Sequence, residues 1–179
     1  MWLIIGYGNC LRGDDGVGYR LAELLRDRLP LARARVLAEH QLTPELALEL
    51  AAPEIDRVLF LDARHDQREP LILSPIAPPA SDASCGHQLS PGLLLHLAAS
   101  LYNHAPSAWL LTLPASQFNL GETLSPAAAV SVDFCARRIE SLIADASEAF
   151  AESLTGKPII SSANGLCRLY CQKEAAAGS

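Results

Sequence analysis

Three acidic residues and one histidine stand where the chain leaves regular structure. Asp14 and Asp15 are adjacent in the glycine-rich segment GYGNCLRGDDG, Asp62 closes the apolar run RVLFLD, and His87 falls just before Ser90-Pro91. Asp15, Asp62 and His87 together offer two carboxylates and one imidazole from three separate loops. That donor set suits a borderline divalent ion such as Ni²⁺, Zn²⁺ or Mn²⁺. Three protein ligands leave coordination positions open, as a catalytic or substrate-sensing site requires. Taken singly, each residue has an ordinary reading: Asp14 as a helix N-cap, Asp62 as a turn residue beside Arg64, His87 as a solvated loop side chain. The adjacency of Asp14 and Asp15 is harder to absorb, because neighbouring carboxylates repel and a cation beside them offsets that repulsion. Asp14 is therefore read as cap and orienter, and Asp15, Asp62 and His87 as the candidate site.

Other chemistries fit the same segments less well. Gly6-x-Gly8 after an apolar run invites a dinucleotide-binding reading, but the third glycine of that fingerprint would fall at Leu11. Asp14-Asp15 at a helix start would also repel a pyrophosphate. A thiol protease would pair a cysteine with a histidine across a site. Cys10 lies in the glycine loop and Cys85 two residues before His87, with no triad signature around either. Cys167-x3-Cys171 lacks the spacing and further ligands of a zinc site, and no G-x-S-x-G elbow marks a serine hydrolase.

The elements that must position these residues alternate between strand and helix. Residues 2–6 (WLIIG) are a continuous apolar run, the pattern of a strand buried on both faces. Val17, Leu21, Leu24, Leu25 and Leu29 then share a helical face, with Arg20, Glu23 and Arg26 opposite. Residues 34–39 read as a strand, and Thr43-Pro44-Glu45 as the start of a helix to about Ala52. The run 57–62 is a further buried strand, and 70–76, bounded by prolines, an edge strand. Ser90-Pro91 caps a helix to about Tyr102, 107–113 is another strand, and Ser125-Pro126 opens a long helix to about Ala151. The alternation predicts a three-layer α/β/α sandwich around a mostly parallel twisted sheet of about five strands. One α/β domain over 1–151 is expected, followed by an extension over 152–179 with a possible strand at Pro158–Ile160 and a frayed end.

Composition bounds the function. The chain has 179 residues, 50% hydrophobic and 19% charged, with a net charge of −6. Leu and Ala make up about a third of it, which favours helices. The apolar fraction supports a full core and excludes disorder as a whole. The acidic balance argues against nucleic acid, which demands a basic surface, and against an anionic membrane. No apolar run is long enough to span a bilayer, and the first residues lack a basic leader segment, so a cytoplasmic protein is expected. Its cysteines number five, an odd count without a CxxC pair, which in a reducing compartment predicts free thiols.

The first loop carries a longer pattern. The run Gly6-Tyr7-Gly8-Asn9-Cys10-Leu11-Arg12-Gly13-Asp14-Asp15-Gly16-Val17-Gly18 resembles the opening motif G-x-G-N-x-L-x-x-D-[DE]-x-x-G of the maturation endopeptidases of [NiFe]-hydrogenases. The strand Leu59-Phe60-Leu61-Asp62-Ala63 resembles that family's apolar strand ending in Asp. His87-Gln88-Leu89-Ser90-Pro91 before Leu93 to Leu95 is similar to its His ahead of a Leu-rich helix, and Leu124-Ser125-Pro126 to the start of its last helix. The likeness runs over roughly 2–151 and is strongest at the first loop.

The resemblance implies that Asp15, Asp62 and His87 bind metal. Some members carry Glu where Asp15 stands, one methylene longer. It implies an endopeptidase that recognises the nickel-loaded precursor of a hydrogenase large subunit and removes its C-terminal extension. The nickel would belong to the substrate, and the partner would be that precursor, met by a monomer. The expected chemistry is metal-dependent hydrolysis without a covalent intermediate. A module that inspects or escorts the precursor without cutting it is the alternative outside the enzyme class.

Overall fold

In the computed structural model, residues 1–69, 71–76 and 89–144 are described. The strands are β1 (Trp2–Tyr7), β2 (Ala34–Glu39), β3 (Arg57–His65), β4 (Ile72–Ile76) and β5 (Ser107–Ala115). The helices are α1 (Val17–Arg28), α2 (Leu46–Leu50), α3 (Pro91–Tyr102) and α4 (Pro126–Ala144), with a 3₁₀ turn at Gly13–Gly16 ahead of α1. The strands form one sheet of order β2-β1-β3-β5-β4. All neighbours run parallel except β4, which lies antiparallel on β5 at the edge. The edge position is the one its prolines predict, because Pro75 has no N–H to give a second neighbour.

Strand alternation sorts the core into two faces. Ile4, Leu59, Leu61, Leu111 and Leu113 pack under Val17, Leu21 and Leu25 of α1 and Val132, Ala136 and Ile139 of α4. Leu3, Ile5, Val58 and Phe60 pack under Leu46 and Leu50 of α2 and Leu94, Leu95 and Ala98 of α3. The expected three layers are therefore present. Among the described residues, no helix is long and apolar enough to cross a membrane.

Boundaries differ from the sequence reading, at α2, β5 and β3 for clear local reasons. The Thr43-Pro44-Glu45 signal is real, but its first bonds are of the tighter i→i+3 kind, Leu46 N–H to the Thr43 carbonyl and Ala47 N–H to that of Pro44. The α-helix proper starts only at Leu46. Strand β5 runs on to Ala115, and β3 continues past Asp62 to His65, because the two remain paired from Asp62↔Thr112 to His65↔Ala115. On the other side of β3, the ladder with β1 stops at Gly6↔Leu61. Asp62 is thus the first residue of β3 beyond its β1 neighbour.

Chain path makes that point special. From β1 the chain goes through α1 on one face to β2, then through α2 on the other face back across to β3. The β1–β3 boundary is where strand order reverses, and the crevice beyond its carboxyl ends is where open α/β sheets take ligands. The close seating of α1 over this boundary needs bare α-carbons. A Cβ on Gly18 would lie 2.4 Å from the Leu61 carbonyl oxygen and 2.7 Å from that of Tyr7. Replacing Gly18 by Ala is expected to cost about 3 kcal/mol through overpacking, read as a lowered urea midpoint. Leu31→Ala, at a side chain 80% exposed, should stay within about 0.5 kcal/mol of the parent.

Candidate functional site

The loop that leaves β1 is built by its own residues. Gly8 takes a φ of +144°, open to glycine alone at no cost, and its N–H donates to the Glu39 carbonyl at 3.2 Å. Asn9 closes the next turn, its side-chain oxygen accepting the Leu11 N–H at 2.9 Å. The chain then enters the 3₁₀ turn at Gly13, where φ is +57°. That turn sends two adjacent carboxylates to different places: Asp14 is fully buried, while Asp15 is only partly so.

Asp14 is not the N-cap that the sequence suggests. Gly16 holds that position for α1 and makes no side-chain cap bond, because the intervening 3₁₀ turn aims the Asp14 carboxylate away from the helix. It accepts instead from the chain between β5 and α4: Ser116 N–H at 2.9 Å, Gln117 N–H at 3.0 Å, Ser125 N–H at 2.7 Å and Ser125 O–H at 2.8 Å. Backbone bonds reinforce the join, Gly13 N–H to the Gly121 carbonyl at 2.8 Å and Gly121 N–H to that of Leu11 at 2.9 Å. Ser125 keeps its expected capping role, accepting the Ala128 N–H at 3.2 Å, and adds a bond to Asp14 that the sequence does not announce. Burial pushes the Asp14 carboxyl up, but the bonds from Ser116, Ser125 and Gln117 outweigh it and hold the group below its ordinary value.

Asp62 has the opposite balance. Burial pushes its carboxyl up; the bonds from Tyr7 and Ala63 pull it down; the negative charge of Asp15 pushes it up again, and the net shift is upward. The Tyr7 hydroxyl donates to Asp62 Oδ2 at 2.7 Å, and the Ala63 N–H to Oδ1 at 2.7 Å. The turn reading with Arg64 is overturned, since Asp62 lies within the ladder to β5 and makes no ion pair with Arg64. Among the described residues, neither Asp15 nor Asp62 has a cationic side chain within ion-pair distance. Asp62 thus feels the charge of Asp15, and among the described residues neither carboxylate has a cationic partner.

His87 lies outside the described residues, as do Cys85, Cys167, Cys171 and 152–179. Leu89, two residues after His87, packs on the face covered by α2 and α3, and Ser90 caps α3 with its hydroxyl accepting the Leu93 N–H at 3.3 Å. Among the described residues, no three His, Cys, Asp or Glu side chains gather as a metal site. Cys10 is buried against Gly16. Burial raises its pKa, Arg20 lowers it, and Glu23, Glu122 and Asp15 raise it further. That is the reverse of a nucleophilic thiolate's environment.

Tyr7 is the site residue that the sequence reading passes over. The signal was available: Leu3 and Ile5 face α2 and α3, so alternation puts Tyr7 on the same side, one residue beyond the paired stretch with β3.

The Asp14 clamp yields a signed expectation. Asp14→Asn should lower stability at neutral pH by about 3 kcal/mol, since an amide presents a donor to donors in a buried site. Because the folded-state pKa is depressed, the stabilisation is complete above the unfolded carboxyl range of about 4 and fades as pH falls through the folded value. The urea midpoints of parent and variant should therefore converge on acidification from pH 7 to 3.

No protein-family model and no curated protein sequence matches the chain. Solved structures do. The [NiFe] hydrogenase maturation protease HycI from Thermococcus kodakarensis KOD1 superposes with a TM-score of 0.67 at 22% identity, over 80% of this chain and 92% of that one. The hydrogenase maturating endopeptidase HybD from E. coli gives 0.61 at 17% identity, over 80% and 91%. A hydrogenase 2 maturation peptidase from Thaumarchaeota archaeon SCGC_AB-539-E09 gives 0.56 at 23% identity, over 79% and 97%. The chain shares the fold of these proteins.

Proposed function

We propose that the chain is a maturation endopeptidase of the [NiFe]-hydrogenase family, which recognises a nickel-loaded large-subunit precursor and removes its C-terminal extension. The observation that carries this reading is the pair Asp15 and Asp62, coupled, unpaired with any cation among the described residues, and set at the strand-order reversal. The shared fold and the motif from Gly6 to Gly18 support it. In this reading Asp15, Asp62 and His87 bind the nickel, which arrives as part of the substrate. Two uncompensated carboxylates are a fitting donor set, because a divalent ion between them offsets their mutual repulsion.

The reaction is hydrolysis of one peptide bond. A water oxygen adds to the scissile carbonyl carbon, the carbon–nitrogen bond breaks, and the departing amine takes a proton. The substrate's metal polarises the carbonyl or activates the water. Asp15 or Asp62 helps to position that water. The protein meets its precursor as a monomer in the cytoplasm.

The test is a cleavage assay on nickel-loaded precursor, read as a mobility shift. Asp15→Ala, Asp62→Ala and His87→Ala should each slow cleavage at least about 100-fold, while Cys10→Ser should cleave within about twofold of the parent. Precursor that stays intact while still binding would identify a checking module in place of a protease. Normal rates in any of the three alanine variants would remove that residue from the site.

A further inference from the structure

One side chain bridges the two halves of the site without belonging to either acid. Tyr7 is the last residue of β1, so the loop bearing Asp15 departs from it, and its hydroxyl reaches across to Asp62 on β3 at 2.7 Å. The other bond to Asp62 comes from the N–H of its own neighbour, Ala63. That contact is local and ties Asp62 to nothing outside β3. Among the described residues, the Tyr7 hydroxyl is thus the one side chain that fixes the Asp62 carboxylate relative to β1.

We propose that Tyr7 is a positioning residue, which sets the orientation of Asp62 and its register against Asp15 so that the two carboxylates receive a divalent cation together. The inference rests on the metal-binding reading of Asp15 and Asp62. It assigns Tyr7 the part that a hydrogen-bonded partner of a ligating carboxylate plays in metal sites, where loss of the partner weakens metal by about 10–100-fold. The phenol acts as a donor and not as a ligand: its O–H is directed at Asp62 Oδ2 at 2.7 Å. The ring itself packs with Leu3 and Ile5 on the face under α2 and α3. Tyr7→Phe therefore removes one oxygen and leaves the packing.

The experiment is calorimetric titration of the full chain with Ni²⁺, in the parent, Tyr7→Phe and Asp62→Ala. Tyr7→Phe should bind Ni²⁺ about 10–100-fold more weakly, with a cooperative melt displaced by no more than a few degrees. Its Co²⁺ complex should show a changed visible absorption band, because a reoriented carboxylate alters the ligand field. Asp62→Ala should lose binding. If Tyr7→Phe matches the parent in Ni²⁺ affinity and Co²⁺ spectrum while Asp62→Ala loses binding, the positioning role is overturned and the metal site stands. If Asp62→Ala binds as the parent does, the metal reading fails, and the role of Tyr7 with it.

Discussion

The buried carboxylate of Asp14 is the constraint on which the rest of the site depends. Taking an ion out of water costs several kcal/mol, and that cost falls on a residue with no cationic partner among the described residues. It is offset by charge-assisted hydrogen bonds drawn from Ser116, Gln117 and Ser125, which lie 102 to 111 residues away in sequence. None of those donors is satisfied this way unless the β1–α1 loop and the β5–α4 connection lie together. One group thereby fixes two loops, the start of α4 and the direction of the 3₁₀ turn. Asp14 is committed inward, while its neighbour Asp15 stays partly exposed and near enough to Asp62 to raise its carboxyl.

The three acids near this edge separate by solvation and partners, though their chemistry is the same. Asp14 has more donors than a carboxylate needs to stay ionised, and its acidity is increased. Asp62 has two, one of them its own neighbour's N–H, and its acidity is reduced by burial and by Asp15. A fully compensated buried charge is a structural part, whereas an under-compensated one in a crevice is where chemistry is expected. Under the proposed function, the division between scaffold and site runs between two residues adjacent in sequence, Asp14 and Asp15.

Local patterns made most of the fold legible. The apolar run at β1, the heptad-like face of α1 and the Ser-Pro starts of α3 and α4 each state their element within a few residues. Gly6 and Gly18 are close-packing positions, as the contacts a Cβ would make at each show. What could not be read depended on distant partners. Asp14 looks like a cap because capping is a local signal, while its true partners are strung along a loop more than 100 residues away. The end of β3 looks like Asp62, the acid that closes the apolar run, but strand length is set by pairing, and β5 continues where β1 stops. Tyr7 reads as part of the glycine loop until β1 is seen to include it and its hydroxyl to meet Asp62. The role of His87 lies outside the described residues.

Under the proposed function, the imbalance at Asp62 has a use that a balanced site would lack. A resident metal centre is normally closed by a full ligand set with supporting hydrogen bonds. Three ligands, Asp15, Asp62 and His87, leave coordination positions open and hold a cation less firmly than that. A site of this kind suits an ion that arrives already bound to something else, because it can complete a coordination sphere without competing for the ion outright. Affinity then comes jointly from the acids and from the ligands that the precursor brings. In such an arrangement a precursor without its metal leaves Asp15 and Asp62 repelling each other across the crevice, and discrimination between loaded and empty precursor follows from electrostatics at the site itself.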